Sequence, residues 1–308
     1  MVGGGALITA VGLHRFSKLF DPASAGFNAP AAVARSVRPR VQKLVWRVVY
    51  SVSTLGSTAP AFMNYGFASL DSGMGGGSLG QPGEDTFGMA LYERVVGVAE
   101  LADRDVLDVG CGRGGGTSCV FATHRPRSMI GMDLAGKAVA QARLRFGRPG
   151  LEFLRGDAED LPFPDGCFDV VLNVESSHCY PDVPRFLRGV HRVLRPGGLF
   201  LMADVRHTDI DEEDVGGALS HEAVHQLRRY IARSPFEVLE EEDITENVRL
   251  ALQLDSPRRR ELIERRVPRI LQAQALQFAG VEGTPLHEAF VSGQLTYLRF
   301  KLRKPGLA

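Results

Sequence analysis

The segment DVLDVGCGRGGG, residues 105–116, constrains this chain more than any other. A short apolar run passes directly into a turn in which five of the seven residues from Gly110 to Gly116 are glycine. Glycine lets the backbone adopt positive φ and come close to a ligand, and a helix that begins at such a turn offers its N-terminal N–H groups to whatever is bound. The reading is therefore a strand over 105–109, a glycine loop, and a helix over 114–123. The same alternation continues downstream. Strands are predicted at 128–132, 151–155, 168–174 and 199–204, with helices at 135–146 and 184–194 between them. The run FDVVLNV at 168–174 is apolar enough to be a central strand. The stop signal Arg195-Pro196-Gly197-Gly198 ends the helix before it. This alternation of strands and helices predicts a doubly wound, Rossmann-like parallel sheet in an α/β fold, with right-handed crossovers and helices on both faces.

The flanks differ from this core. Asp85 or Thr86 caps a helix expected to reach about Leu101, with Phe87, Leu91, Val95 and Val98 on one stripe. Beyond the fifth strand, 236–245 is a candidate sixth strand. Residues 246–278 read as a charged helical insert, expected to form a lid above the ligand, and its arginines at 258–260 and 265–266 read as a solvated helix face. Residues 293–302 alternate as a final, antiparallel strand, giving seven in all. Residues 1–60 carry seven Lys/Arg against one acid, Asp21. The apolar stretch 6–13 has no positive region before it, so a secretory signal is not expected. This basic extension, with a helix at 41–52 around Trp46, reads first as a flexible basic leader, with contact to a membrane surface or an anionic carrier as the other reading. The glycine-rich stretch 69–83 reads as a linker or mobile loop. The expected division is an N-terminal extension over 1–84 and one domain over 85–308.

Composition closes off several function classes. With 36 basic and 36 acidic residues the formal net charge is zero, which removes the electrostatic footprint of a nucleic-acid-binding protein. Cys111, Cys119, Cys167 and Cys179 form no zinc-ligand spacing and read as free thiols of a reducing compartment, hence a cytoplasmic chain. No apolar run is long enough for a transmembrane helix. The acids Asp209, Asp211, Glu212, Glu213 and Asp214 read as a solvated loop rather than a Mg²⁺ site, so no metal is expected. His221 and His225 lie at i, i+4 but lack the HExxH pattern and read as surface or packing residues. A homo-oligomer is compatible with the sequence.

The glycine loop alone does not select a cofactor. Gly110, Gly112 and Gly115 also satisfy the GxGxxG spacing of nicotinamide enzymes, and Asp133, at the end of the second strand, suits a ribose in either case. Three further features separate the two. Asp108 stands two residues before the first glycine, the block GDAEDLPF follows the third strand at 156–163, and FDVV at 168–171 is followed by LRPGG at 194–198. Together these resemble class I S-adenosylmethionine-dependent methyltransferases over roughly 85–204. The resemblance implies S-adenosyl-L-methionine as cofactor and S-adenosyl-L-homocysteine as product. It implies that Gly110, Gly112 and Gly114 face the methionine portion, that Asp133 with Leu134 binds the ribose, and that Asp157 binds the adenine amine with Ala158 flanking the base. Asp108 and Asn173 complete the implied cofactor set.

A narrower resemblance lies at 172–181, LNVESSHCYP, with Asn64-Tyr65-Gly66 before the core and FAGVEGT (278–284) and GQLTY (293–297) after it. These segments are similar to the mycobacterial methyltransferases that O-methylate phthiotriol-type and phenolic polyketide lipids, and to sugar and polyketide O-methyltransferases of natural-product pathways. An alcohol is a poor nucleophile until its proton is removed, so a base is expected. His178, just past the fourth strand, is the candidate, with an ordinary pKa of about 6.5 suited to a neutral-pH ionisation. Asp204, at the end of the fifth strand, is the candidate partner. Glu175 and Tyr65 are candidate contacts to a small-molecule or lipid-like acceptor. C-methylation of an electron-rich carbon, as on an isoprenoid diphosphate, and a non-catalytic protein that merely retains the cofactor are the other readings.

Overall fold

The computed structural model describes residues 61–70, 85–208 and 223–306. The basic stretch 1–60 with its expected helix, most of the glycine-rich stretch, the acidic run at 209–214 and His221 lie outside the described residues.

Seven strands form one sheet: β1 (Asp105–Val109), β2 (Ser128–Asp133), β3 (Leu151–Arg155), β4 (Phe168–Val174), β5 (Leu194–His207), β6 (Glu237–Asp243) and β7 (Leu295–Arg303). Their order is β3-β2-β1-β4-β5-β7-β6. The first five are parallel, and β7 runs antiparallel between β5 and β6. β4 is the middle strand, as its apolar character predicts. Successive residues of a strand face opposite sides, and β1 shows it: Val106 packs into one apolar cluster and Leu107 into another. The first cluster takes residues of α1 (Thr86–Val96), α2 (Gly115–His124), α3 (Gly136–Phe146), α6 (Thr245–Arg266) and α8 (Pro285–Val291). The second takes residues of α4 (Val183–Val193) and α5 (Val224–Ala232). Helices therefore cover both faces, and the strand order reverses between β1 and β4, where ligands of such sheets bind.

Four expectations change. The first helix ends at Val96 rather than near Leu101, because Gly97 turns away with φ 55°, and Val98 is 92% exposed instead of on the apolar stripe. The insert over 246–278 is two helices, α6 and α7 (Arg269–Phe278), not one. Val267 is extended because it precedes Pro268, which disfavours helix at the residue before it. α8 had no counterpart in the reading, although Thr284 accepts from the His287 N–H and Pro285 occupies the first turn, a cap-and-proline pair that marks a helix start. β5 begins at Leu194, so the helix stop at 195–198 is also the opening of a strand. There Gly197 N–H donates to Lys304 O and Lys304 N–H to Gly198 O.

Candidate cofactor and acceptor site

The glycine loop and the turn after β4 meet at the switch point. Gly110, Gly112 and Gly114 all have positive φ (81°, 55° and 79°). A methyl group on Gly110 would lie 2.3 Å from Ser176 Oγ, and one on Gly114 would lie 2.6 Å from the Phe153 ring. Asn173, fully buried, donates from its amide to Val109 O (2.9 Å) and to Ser176 Oγ (2.7 Å), tying β4 to the root of the loop.

The N–H groups of the loop are not aimed outward as the glycine spacing suggested. Gly110 N–H and Cys111 N–H both donate to Met132 O (2.7 and 3.1 Å), and Gly112 N–H donates to Asp133 Oδ2 (2.9 Å). Three consecutive donors are thus spent inside the fold. A pyrophosphate needs such donors, whereas the ammonium and sulfonium of a methionine portion need acceptors and only its carboxylate needs donors, which must come from elsewhere. The loop fits the second kind better. Asp108 adds to the fit. It is fully buried, its Oδ2 accepts from Thr117 (2.6 Å) and Tyr92 (3.4 Å), and its Oδ1 has no hydrogen-bond partner among the described residues. Burial pushes its carboxyl up to about 7, against the two hydrogen bonds that lower it.

Asp133 ends β2 with both oxygens engaged, Oδ2 by Gly112 and Oδ1 by Ala135 N–H (2.8 Å). Burial raises its pKa, and the two backbone donors oppose the rise. Leu134 follows it, half-buried. Asp157 caps its own turn by accepting from Glu159 N–H (3.0 Å), and Ala158 is buried beside it.

On the other side of the loop lies a group of buried polar residues. Ser177–Cys179 forms a single 3-10 turn. His178 Nδ1 donates to Asp204 Oδ1 (2.7 Å), and the His178 backbone N–H donates to Asp204 Oδ2 (2.8 Å). The ring is only 9% exposed and Asp204 is fully buried. Burial works against an imidazolium here, but Cys179 and Asp204 outweigh it and raise the His178 pKa well above the ordinary imidazole value. Burial likewise opposes the Asp204 charge, while His178 and Arg206 hold its carboxyl far below the usual range. Sequence reasoning paired His178 with Asp204 but gave no role to Ser177 and Tyr297, although both lie in the segments LNVESSHCYP and GQLTY, and missed Arg206, which lies in no motif.

Glu175 has φ 51°, rare for a residue with a side chain. Its Oε2 accepts from Tyr65 N–H (2.9 Å) and from the Tyr297 hydroxyl (2.9 Å). Burial pushes its carboxyl up to about 7, against the donors that lower it. Tyr65 packs edge-on against Phe290, with ring centroids 5.7 Å apart. Its carbonyl accepts from Arg259 Nη2 (2.9 Å). The segment 61–68 thereby becomes a strap across the loop. Ala68 N–H donates to Asn247 O, Phe67 N–H to Phe87 O, and Met63 Sδ would be 3.5 Å from a methyl group on Gly112. The strap, not the helical insert, lies directly on the glycine loop; α6 holds the strap from outside.

That corrects the reading of the arginine run. Arg258 and Arg259 both grip Asp255, and Arg259 also donates to Ala279 O (2.8 Å), so two of the three arginines are structural. Arg265 behaves as expected, exposed and paired with Glu261. His225 is exposed. Among the described residues, no cluster of three or more His, Cys, Asp or Glu could hold a metal, and no helix is long and apolar enough to cross a membrane.

Comparison with known proteins agrees with this arrangement. Residues 107–202 match the family described as a methyltransferase domain. The chain is 35% identical over 274 residues to a phthiotriol/phenolphthiotriol dimycocerosates methyltransferase of Mycobacterium tuberculosis, an alignment spanning 88% of this chain and 96% of the relative. It is 44% identical over 170 residues to a fatty-acid O-methyltransferase of Mycolicibacterium smegmatis, spanning 55% of this chain and 61% of that protein. Among solved structures, the [4+2]-cyclase SpnF superposes with a TM-score of 0.62 at 21% identity, covering 87% of this chain and 95% of that one. Geranyl diphosphate methyltransferase in complex with S-adenosylmethionine superposes with a TM-score of 0.59 at 17% identity, covering 79% and 98%. These two likenesses concern the fold alone. The sequence relationship goes further: the chain is a class I S-adenosylmethionine-dependent methyltransferase and belongs to the family of the phthiotriol/phenolphthiotriol dimycocerosates methyltransferases.

Proposed function

We propose that this enzyme methylates a hydroxyl group of a lipid-like or polyketide acceptor, with His178 as the base. The observation that carries the reading is the His178–Asp204 pair, set on the turn that touches the glycine loop. In this assignment Gly110, Gly112 and Gly114 line the methionine portion of the cofactor, with Asp108 behind them. Asp133 takes the ribose hydroxyls beside Leu134, and Asp157 takes the adenine amine beside Ala158. Asn173 acts from behind the loop, by holding Val109 and Ser176 in place. When bound, S-adenosylmethionine supplies an electrophilic methyl whose leaving group is a neutral thioether. The protein's work is to align the acceptor oxygen, keep water out and remove the hydroxyl proton. Asp204 fixes the ring so that Nδ1 keeps its proton and Nε2 takes the one from the acceptor. Ionised, it also stabilises the imidazolium that results. Glu175 and Tyr65 bound the acceptor side of the same turn.

The names of the relatives support the acceptor class, since one acts on a dimycocerosate lipid precursor and another on a fatty acid. Transfer of a labelled methyl to a panel of hydroxylated lipids tests the reading. The expected product releases its label as methyl iodide on treatment with hydriodic acid. A label that resists this treatment is bound to carbon and overturns O-methylation.

The cofactor assignment carries its own prediction. Asp133→Ala removes the acceptor for two ribose hydroxyls and for Gly112 N–H. It is expected to weaken cofactor binding by roughly 1.5–3 kcal/mol, the scale of buried hydrogen-bonding groups left unpaired. Calorimetric titration showing unchanged affinity removes Asp133 from the ribose site.

A further inference from the structure

Arg206, near the end of β5, is a fully buried guanidinium with no part in the chemistry above. Its Nη1 lies 3.1 Å from Asp204 Oδ2 and donates to Val205 O (2.8 Å). Its Nη2 donates to Ser177 Oγ (2.8 Å), and the Ser177 hydroxyl in turn donates to Asp204 Oδ2 (2.5 Å). The Asp204 carboxylate is thus shared: the His178 ring holds Oδ1, while Arg206 and Ser177 hold Oδ2.

A carboxylate with two buried cationic neighbours raises a question of charge. Arginine is always protonated, whereas histidine is not. We propose that Arg206 is a positioning residue for the base: by matching part of the charge of Asp204, it limits how strongly that carboxylate holds His178 as an imidazolium, so that the ring can still give up its proton and accept the acceptor's. This rests on the reading of His178 as the base. With Arg206 in place, part of the Asp204 charge is already matched, so protonating the ring gains less. Without Arg206, the carboxylate keeps its neutral donors, Ser177, the His178 and Val205 N–H groups and the ring, but no cation, and protonation of the ring supplies one. Unpaired buried charge is strongly disfavoured, so loss of Arg206 shifts the ring further toward the imidazolium.

The other groups around His178 do not reproduce this effect. Cys179 on the same turn raises the ring's affinity for protons, and Glu175 lies at the start of that turn. From the strap and β7 come only the phenols of Tyr65 and Tyr297, both pushed further toward the neutral form by burial. Arg259 of α6 is engaged with Asp255 and with backbone carbonyls. Among the described residues, Arg206 is the cation that touches the dyad itself.

The test is an NMR titration of the His178 ring in the full-length, histidine-labelled protein, its signal identified by its loss in His178→Gln. In Arg206→Met the ring is expected to titrate about one to two pH units higher than in the wild type, the scale of a nearby unit charge in a protein interior. In Arg206→Lys, which keeps the charge, it is expected to stay within a few tenths of a unit. The ascending limb of kcat against pH moves with it. An unchanged titration in folded Arg206→Met overturns the inference, whatever happens to turnover, and assigns Arg206 to stability alone. Should that variant fail to fold, Arg206→Gln, which keeps polar hydrogen-bonding groups but not the charge, is expected to show the same rise, and an unchanged titration there overturns the inference. If instead the rate limb persists in His178→Gln, the base reading fails, and the titration distinguishes that failure from this one.

Discussion

His178→Ala is expected to lower turnover by about 10²–10⁴-fold, the usual range for loss of a general base. Cofactor affinity should hardly change, because the ring pairs with Asp204 while the loop proposed to carry the cofactor is built from Gly110–Gly114 and Asp133. His178→Gln keeps a polar side chain of similar reach but cannot accept a proton at neutral pH, so it should fail equally. The pH dependence has a definite sign. The base works when its ring is neutral, so the rate rises with pH as His178 loses its proton. Since Cys179 and Asp204 raise that pKa well above the ordinary imidazole value despite burial, the limb should lie alkaline of 6.5. A neutral-pH ionisation, which an unperturbed histidine would give, is not what this environment produces. A kcat–pH profile with parallel calorimetry on the cofactor checks all three points. Equal losses in affinity and turnover would make His178 a structural residue, and a rate loss below tenfold would leave alignment alone as the source of catalysis.

The second large effect is expected from Gly110→Ala. Its φ of 81° belongs to glycine, and an L-residue there costs roughly 1–2 kcal/mol. The new methyl would also lie 2.5 Å from Ser176 Cβ, an atom fixed by the backbone and not relieved by a rotamer change. Forced overpacking adds typically 1–3 kcal/mol. Either the glycine loop or the β4 turn must give way, and the turn leads directly to His178. Cofactor binding should weaken by at least about 30-fold, with a lowered melting temperature. Ser176→Gly in the same chain removes the collision but not the dihedral strain, so the double variant should recover part of the loss. Calorimetry and thermal denaturation of the two variants decide it; an unchanged Kd and Tm in Gly110→Ala would mean that the loop does not need its bare Cα.

The sequence carried the β1–loop–α2 unit clearly because three signals fall within twelve residues: a short apolar strand, glycines where φ is positive, and an acid before them. It carried the acids at strand ends because parallel strands bring all their carboxyl ends to one edge of the sheet, so an acid at the end of a predicted strand has a known place. It did not show where the loop's N–H groups go, because Met132 O and Asp133 reach them from another strand. Nor did it separate Arg258 and Arg259 from a solvated charge run. Three arginines in a row look alike whether they meet water or carbonyls, and only the fold brings Tyr65 O and Ala279 O to Arg259. Glu175 and the Tyr65 N–H are 110 positions apart. Asn64-Tyr65-Gly66 stood out only by resemblance, and nothing local announced the strap. Pro268, by contrast, was a legible break within a segment read as one helix.

The place of β7 has a consequence for how the enzyme comes into being. It is the last strand of the chain, yet it lies between β5 and β6, pairing with both. Until residues 295–303 leave the ribosome, β5 has a bare edge, β6 has no partner strand at all, and the Glu240 and Glu242 carboxylates wait for Arg299. Bare edges are the surfaces through which incomplete chains associate. Tyr297, which closes the Glu175 contact, arrives in the same stretch. A nascent chain therefore holds a nearly finished glycine loop before the Glu175–Tyr297 contact exists, and a stop codon before residue 295 would yield a sheet with bare edges rather than a slightly shortened enzyme.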